Sequence, residues 1–255
     1  MGIDQLYESL SAMDQSMLNG WQDAFLKFYN AWFYNDRWIT YFQGLATTIE
    51  VTIIALAIGV VLGVLVATVR TAHDQQRLGH RNPVLGFFNL ICKIYVTVIR
   101  GTPMMVQLMI MGFVVFKTSR NATMVGALSL GINSGAYVAE IIRGGLMSLD
   151  PGQNEAGRSL GLNYLDTMRF IVVPQAFKAI LPALGNEFIT LLKDTSLISV
   201  IAGKEIVYFA QAIVTKTYEA MYPYIITAIM YLIMVLIFTW LQGKLERRLR
   251  QSDRR

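Results

Sequence analysis

The strongest constraint on this sequence is a set of apolar runs that are too long for the core of a soluble domain of 255 residues. The clearest run is 44–69, which contains LATTIEVTIIALAIGVVLGVLVATV and a single charge, Glu50. A helix of this length crosses about 30 Å of hydrocarbon with some tilt. Together with 54% apolar content, these runs predict an all-α integral membrane protein.

Four further segments complete a prediction of five membrane spans. The predicted spans are 44–69, 84–116, 123–142, 181–202 and 221–241. The second is irregular, because its apolar run 104–116 is too short to cross a bilayer alone. We expect the residues before that run to form an interfacial or deep helix, which enters the membrane through Gly101, Thr102 and Pro103.

Basic residues indicate the orientation of these spans. With the N-terminus outside, fifteen of the 22 Lys and Arg residues fall in or beside cytoplasmic segments, six fall outside and Lys193 lies within a span. Because positive residues favour the cytoplasmic side, we predict an outside N-terminus and a cytoplasmic C-terminus. The domain prediction is an extracytoplasmic or interfacial segment 1–43, a membrane domain 44–243 and a cytoplasmic tail 244–255.

The two terminal segments have different expected contacts. Aromatic residues in 1–43 recur at helical spacing, which favours either a helix at the membrane interface or a contact surface for a partner. The tail 244–255 is strongly basic. Such a tail could bind nucleic acid, but its place directly after a span favours anionic lipid of the inner leaflet.

The stretch 155–174, EAGRSLGLNYLDTMRFIVVP, is too polar and basic to lie in lipid, although it separates two apolar spans. Its apolar residues share one face at helical spacing, as expected of a cytoplasmic helix that lies across a partner. They are Leu160, Tyr164, Met168 and Ile171. Gly161 interrupts the pattern and Pro174 blocks its extension, so we predict two short helices bent at Gly161.

The same stretch carries a spaced motif. It consists of Glu155, Ala156, a small residue at Gly157, Gly161, Ile171 and Pro174. This pattern resembles the EAA loop of bacterial ABC importer permeases. The flanks resemble the polar amino acid uptake branch of that family, the histidine-, glutamine- and arginine-type permeases. The flanking residues are 100–103 (RGTP), 135–140 (GAYVAE), Pro182, Asn186, Glu187 and 193–197 (KDTSL). The resemblance covers about 44–250, with Gly157 where the family usually has alanine and Val173 where leucine is usual.

The resemblance implies a mechanism and a set of partners. The loop 150–178, between the third and fourth spans, would dock into a groove of a separate ABC ATPase and pass its motion to the spans. The implied coupling residues are Glu155, Ala156, Gly157, Ser159, Leu160 and Gly161. A second permease subunit, identical or paralogous, would complete the pathway, and an extracytoplasmic amino-acid-binding protein would deliver the substrate. The implied location is the bacterial inner membrane.

Two polar stripes run along otherwise apolar spans. The first comprises Ser129, Asn133, Tyr137 and Glu140, and the second comprises Asn186, Glu187, Thr190, Lys193 and Asp194. Helix geometry places them within arcs of about 80° and about 120°. A charge in a span costs about 3 kcal/mol unless it is paired or hydrated. The stripes therefore line a pathway for a polar solute, or they hold the helices together, with Lys193 paired to Asp194 or Glu187.

The sequence lacks three common motifs of nucleotide-binding and catalytic sites. The sequence has no GxxxxGK[ST], HExxH or GxSxG pattern, so we expect no catalytic site and ATP hydrolysis by another polypeptide. His73 and His80 lie seven apart without further ligand residues, and neither a metal site nor a cofactor is expected. One alternative is a proton-coupled carrier or ion channel that uses Glu140, Glu187 and Asp194. Another is a membrane scaffold that transports nothing.

Overall fold

The structure, a computed structural model, describes residues 2–13, 17–76, 82–150 and 152–252. In these ranges the chain folds into helices without a β-strand. They are α1 (Ile3–Ser11), α2 (Gly20–Trp32), α3 (Arg37–Asp74), α4 (Pro83–Gly101), α5 (Met104–Ile110), α6 (Ala122–Met147), α7 (Gly152–Ser159), α8 (Tyr164–Thr167), α9 (Val173–Asp194), α10 (Ile206–Thr217) and α11 (Met221–Ser252). In the described ranges, five helical stretches are long and apolar enough to cross a membrane, which confirms the prediction of an all-α protein with five spans.

The centre of the fold is the parallel pair α3 and α6, which glycines bring together. A Cβ atom added at Gly59 would lie 2.8 Å from Ser134 Oγ, and one at Gly63 would lie 2.5 Å from Val138 Cγ1. Small residues allow helices to approach this closely in a membrane. The glycine pair therefore packs within the chain.

Both α3 and α6 run from an end that carries α1 and α2, here called the cap end, to an end that carries α7 and α8, here called the loop end. Helix α9 returns from the loop end to the cap end, and α11 runs back beside it. The antiparallel contact between them includes the rings of Phe188 and Phe238, whose centroids are 4.8 Å apart. Near the loop end, Gln242 Nε2 donates to the carbonyl of Pro182 over 3.2 Å.

Several helices extend beyond the predicted spans. Helix α3 begins at Arg37, before the predicted start at Gly44, and α11 continues to Ser252, into the predicted tail. Helix α9 ends at Asp194, and the chain continues as a 3-10 helix from Thr195 to Ile201. An apolar run identifies only the part of a helix that lies in the hydrocarbon core of the bilayer. The helix itself can continue into the interfacial regions, so it is longer than the run.

The irregular second span is two helices, as the sequence predicted, with the break at Thr102 and Pro103. Helix α4 is long and apolar enough to cross a membrane by itself. The sequence had predicted only an interfacial or deep helix for this segment. Gln107 of α5 closes the break, because its Nε2 donates to the carbonyl of Ile99 over 2.8 Å and to Thr102 Oγ1 over 2.7 Å. These bonds replace part of the helical hydrogen bonding that proline removes.

The predicted stop at Pro174 is wrong. A π-helical turn from Met168 to Val172 joins α8 to α9, and Pro174 lies in the first turn of α9. A π-turn already interrupts the regular hydrogen-bond pattern, and the first turn of a helix tolerates a residue without an N–H group. Proline therefore sits at a position where its missing donor costs little.

Candidate functional site

The first candidate site is the loop formed by α7 and α8 at the loop end. Helix α7 ends at Ser159 and α8 begins at Tyr164. Gly161 lies between them with φ +77°, a conformation that glycine adopts without strain. The structure therefore confirms the predicted pair of short helices bent at Gly161.

The predicted apolar face of this loop divides into two parts. Leu160 is 77% exposed and Tyr164 is 54% exposed, whereas Met168 lines an apolar cavity of about 450 Å³ between α3, α6 and α9. Leu165 and Phe170, which the sequence argument passed over, are 74% and 63% exposed. The exposed apolar surface is thus built from residues on both sides of Gly161. The helical spacing identified Leu160 and Tyr164 but missed Leu165, which precedes the π-turn, and Phe170, which lies within it. Residues within a π-turn no longer follow the regular helical spacing.

The motif residues take distinct positions in this loop. The side chains of Glu155 and Ala156 are exposed, and Ser159 Oγ donates to the carbonyl of Glu155 over 3.0 Å. Gly157 is buried, and a Cβ atom added there would lie 2.7 Å from both Oγ1 and Cγ2 of Thr167. Thr167 thus fills the space that an alanine at 157 would need, which explains the departure from the usual motif.

Two contacts connect the loop to the spans. The Tyr164 hydroxyl donates to Gln75 Oε1, just beyond the end of α3. Gln175 Nε2 of α9 donates to Gln153 Oε1 of α7 over 2.9 Å. Since α8 also continues into α9 through the π-turn, a displacement of the loop would act on both α3 and α9.

The second candidate site is the polar stripe on α6. Ser129 is 3% exposed and donates to a backbone carbonyl of its own helix over 2.7 Å, so its hydroxyl is used within α6. Asn133 Nδ2 donates to Gln107 Oε1 over 3.0 Å, which ties α6 to the broken second span. Tyr137 is 37% exposed and lies beneath the Arg100 guanidinium, 5.3 Å from the ring centroid. The middle of the stripe, Asn133 and Tyr137, therefore contacts α5 and α4 of this chain.

Glu140, the last residue of that stripe, lies in a cluster of arginines at the loop end. Its carboxylate pairs with Arg70 of α3, and its oxygens are 3.7 Å from Arg100 Nη1 and 3.7 Å from Arg143 Nε. Arg143 Nη1 is also 3.8 Å from Asp74 Oδ2. Glu140 therefore joins α3, α4 and α6 electrostatically.

The stripe on α9 faces two different helices. Ser134 Oγ of α6 donates to Glu187 Oε1 over 2.7 Å, whereas Asn186 Oδ1 accepts from Gln242 Nε2 of α11 over 2.9 Å. Thr190 and Lys193 are exposed, and Asp194 is half-buried. In the described part of the chain, no direct ion pair joins Lys193 to Asp194 or Glu187, although the charge of Lys193 still acts on Asp194. The structure thus does not show the direct pairing that one of the two alternatives required. The separation of Glu187 and Asn186 follows from the 100° between consecutive residues of a helix.

A buried acid at the cap end escaped the sequence argument. Glu205 is 0% exposed, and its carboxylate accepts from the backbone N–H groups of Val207 and Tyr208 over 2.8 and 2.9 Å. Tyr231 Oη of α11 donates to the same carboxylate over 2.8 Å. The side chain thus caps α10 and connects it to α11. Only a tertiary contact could have revealed this role, since Tyr231 is 26 residues further along the chain.

Among the described residues, no group of three His, Cys, Asp or Glu side chains could hold a metal ion. His73 lies in the last turn of α3, where Asn89 Nδ2 is 3.1 Å from its Nδ1. His80, the other histidine of the sequence argument, lies outside the described residues.

Comparison with known proteins places this architecture in context. The model of one family, described as binding-protein-dependent transport system inner membrane component, matches residues 82–251. The chain is 36% identical over 216 residues to the arginine transport system permease protein ArtQ of Bacillus subtilis, covering 83% of this chain and 93% of that protein. It is 34% identical over 212 residues to the glutamine transport system permease protein GlnP of Escherichia coli, covering 82% and 92%.

Solved structures of two transporters are also similar to this chain. A crystal structure of an amino acid ABC transporter with histidines has a chain that is 41% identical, with a TM-score of 0.73 over 82% of this chain and 94% of that one. The inward-facing MetNI methionine ABC transporter has a TM-score of 0.67 at 17% identity, with 81% and 94% covered. The second likeness concerns the fold alone.

Proposed function

This chain belongs to the family of binding-protein-dependent transport system inner membrane components, and from that premise we propose that it imports a polar amino acid with energy from a separate ATPase. It is a multi-pass membrane permease subunit of the ABC transporter class. Relatives named for arginine and glutamine, and a similar structure described as an amino acid transporter with histidines, support this substrate class.

The observation that carries the coupling proposal is the exposed surface of the loop. Leu160, Leu165 and Phe170 are each more than 60% exposed, and Glu155 of the same loop is exposed as well. An apolar patch with a polar rim, outside the spans, is typical of a protein interface. We assign this surface to the ATPase, with Glu155, Ala156, Gly157, Ser159, Leu160 and Gly161 as the coupling residues.

The contacts of the loop supply a route for its motion. A movement of α7 and α8 would act on α9 through Gln175 and through the π-turn, and on α3 through Tyr164. Helix α9 in turn bears on α6 at the Glu187–Ser134 hydrogen bond. ATP-driven closure of the paired ATPases would thereby rock α9 and α3 between inward-open and outward-open arrangements.

The proposed pathway uses the polar groups that the described chain leaves half-exposed. Asn133, Tyr137, Thr190, Lys193 and Asp194 lie on faces that packing within the chain covers incompletely. Polar groups in a membrane face protein or water rather than lipid. We therefore propose that a second permease subunit covers these faces and encloses the pathway, and that an extracytoplasmic binding protein delivers the amino acid to it.

Five of the predicted pathway residues also have partners within this chain, namely Ser129, Asn133, Asn186, Glu187 and Glu140. We propose that they position the helices around the pathway as well. The alternative of a proton-coupled carrier or channel relying on Glu140, Glu187 and Asp194 gains no support. Glu140 is surrounded by arginines, and the relatives are named as transport system permease proteins.

A double substitution tests the coupling assignment. We expect Glu155→Lys with Gly161→Pro to reduce uptake of radiolabelled arginine or glutamine by at least about tenfold, the equivalent of about 1.4 kcal/mol. Proline cannot adopt the positive φ of residue 161, so the bend and the exposed surface are lost together. The ATPase should no longer copurify in stoichiometric amount, although the chain still inserts into the membrane.

A matched control separates this effect from general damage. Glu8→Lys makes the same charge change on an exposed helix at the cap end, and it should leave uptake and copurification intact. Normal uptake by the Glu155 and Gly161 double variant would refute the docking assignment.

A further inference from the structure

A cavity of about 260 Å³ opens at the cap end, between α3, the start of α6 and the turn before α10. Its wall contains the side chains of Glu50 and Lys204, together with Thr47, Asn121 and Thr123. The backbone N–H of Lys204 donates to Thr123 Oγ1 over 3.0 Å. This bond holds the lysine at the start of α6, across the cavity from α3.

The two charges of this cavity do not neutralise each other. Within the described residues, neither the Glu50 carboxylate nor the Lys204 ammonium forms an ion pair, although both side chains line the same space and both are exposed to it. Glu50 is moreover the single charge in the apolar run 44–69. An ionisable residue on a membrane helix is costly and points to a functional site whose partner should be identified.

The remaining lining is divided by polarity. Thr47, Thr123 and Asn121 contribute polar side chains to the lining, whereas Val51 and Ala127, which are 2% and 1% exposed, contribute apolar ones. Such a site favours a small ligand with charges of both signs over a purely apolar one. A simple anion or cation would engage only one of the two protein charges, whereas a zwitterion can engage both.

We propose that Glu50 and Lys204 form a binding site for a zwitterion that carries a primary ammonium and an anionic group. The ligand's ammonium would pair with Glu50, and its carboxylate or phosphate would pair with Lys204. The free-amino-acid form of this inference rests on the substrate class of the proposed function, but binding at the site requires neither the loop nor an ATPase. Loss of uptake in the loop variant and loss of binding in the cavity variants are therefore separate results.

Two sources supply this chemistry. A free amino acid carries it as α-ammonium and α-carboxylate, and phosphatidylethanolamine carries it as ammonium and phosphodiester in its headgroup. The site lies near the end of the spans, where either ligand can reach it. The two ligands differ in the orientations that they can adopt. A free amino acid can bind in either direction, whereas the acyl chains of a lipid allow its headgroup only one.

The experiment uses the full chain, purified in mild detergent and reconstituted in phosphatidylcholine nanodiscs. One probe is L-glutamine, measured by equilibrium binding of the radiolabelled compound. The other is a mixture of phosphatidylethanolamine and phosphatidylglycerol with equal acyl chains, with retention measured by native mass spectrometry. The variants are Glu50→Gln, Lys204→Gln and the exchanged pair Glu50→Lys with Lys204→Glu. Glu8→Gln and Lys216→Gln, on exposed residues outside the cavity, are the matched controls.

We expect each single variant to weaken binding of the active probe by about tenfold or more, since each removes one charge-assisted hydrogen bond. Lys204→Arg keeps the charge and should retain binding, which guards against a loss caused by misfolding. If the exchanged pair restores binding of L-glutamine, the ligand is a free amino acid. If phosphatidylethanolamine is retained over phosphatidylglycerol and the exchanged pair does not restore retention, the ligand is the lipid. Equal behaviour of the single variants and the controls toward both probes would overturn the site.

Discussion

The two ends of the helical bundle hold their carboxylates by opposite means. At the loop end, Glu140 lies among the guanidinium groups of Arg70, Arg100 and Arg143. At the cap end, Glu205 is fully buried and receives hydrogen bonds from two backbone N–H groups and the hydroxyl of Tyr231. The first acid is stabilised by charge and the second by neutral donors. The loop end should therefore respond to salt, and the cap end to protons.

At the cap end, the pKa of the Glu205 carboxyl group is shifted. Glu205 lies between the fourth and fifth candidate spans. Burial raises its pKa to about 7, although the hydrogen bonds from Val207, Tyr231 and Tyr208 act in the opposite direction. No cation compensates for the lost hydration among the described contacts of this side chain, and desolvation therefore dominates.

The largest effect is expected from Glu205→Ala. The substitution leaves two backbone donors and one hydroxyl donor without an acceptor in a buried site, at a cost of about 1–3 kcal/mol each. We predict a loss of about 4 kcal/mol in the free energy of unfolding, measured by SDS titration of the purified chain at pH 5. Glu8→Ala, on an exposed acid, should change stability by less than about 0.5 kcal/mol. Similar values for the two variants would show that the buried contacts of Glu205 contribute little.

The pH dependence follows from the direction of the Glu205 pKa shift. The folded pKa of about 7 lies above the ordinary value of 4.5, so the folded state binds the proton more tightly than the unfolded state. The resulting stability is fully present below pH 4.5 and is lost as the pH rises through 7, with a total of about 3 kcal/mol. Glu205→Gln should remove this loss, which the difference between the two unfolding curves from pH 4 to 8 would measure. Parallel curves would contradict the prediction.

Much of the fold could be predicted from the sequence because its signals are local. Long apolar runs reveal the spans, and Gly161 reveals the bend through its own backbone freedom. The continuation of α8 through Pro174 could not be predicted, because the π-turn that makes it possible has no local signature in 168–172. Likewise, Phe170 lies within that turn and is exposed, whereas regular spacing had placed Met168 on the outer face.

The candidate sites were less predictable, since their polar residues are defined by distant partners. The sequence identified Glu140 as a polar position on its helix, yet Arg70, which pairs with it, precedes it by 70 residues. Lys193 was expected to pair with its neighbour Asp194, but the two side chains project from adjacent positions of α9 in different directions. A sequence pattern indicates which residue types share a helix face, whereas the neighbouring helix determines what they contact.

A smaller effect is expected at the loop end. Glu140→Gln removes the carboxylate that separates three arginines, but the side chain is 25% exposed and Arg100 is 43% exposed, so solvent screens much of the repulsion. We predict a loss of about 1–2 kcal/mol at low ionic strength. At 1 M salt, where the Debye length is about 3 Å, the loss should shrink to below about 1 kcal/mol. The cost of Glu205→Ala should hardly change with salt, and an equal salt response of the two variants would contradict the contrast between the ends.

The smallest effect is expected from Tyr231→Phe, which removes one neutral donor and leaves the other two contacts of Glu205 in place. The loss should be about 1 kcal/mol at pH 5. Because the hydroxyl hydrogen bond lowers the pKa of Glu205, its removal should raise that pKa further, and the fall in stability should extend to a higher pH than in the unsubstituted chain. Tyr224→Phe, on an exposed tyrosine of the same helix, serves as the control and should leave the pH profile unchanged. An unshifted midpoint in Tyr231→Phe would mean that the two backbone N–H groups alone determine the charge of Glu205. The proton response of the cap end would then reside in the turn that begins α10, rather than in the contact between α10 and α11.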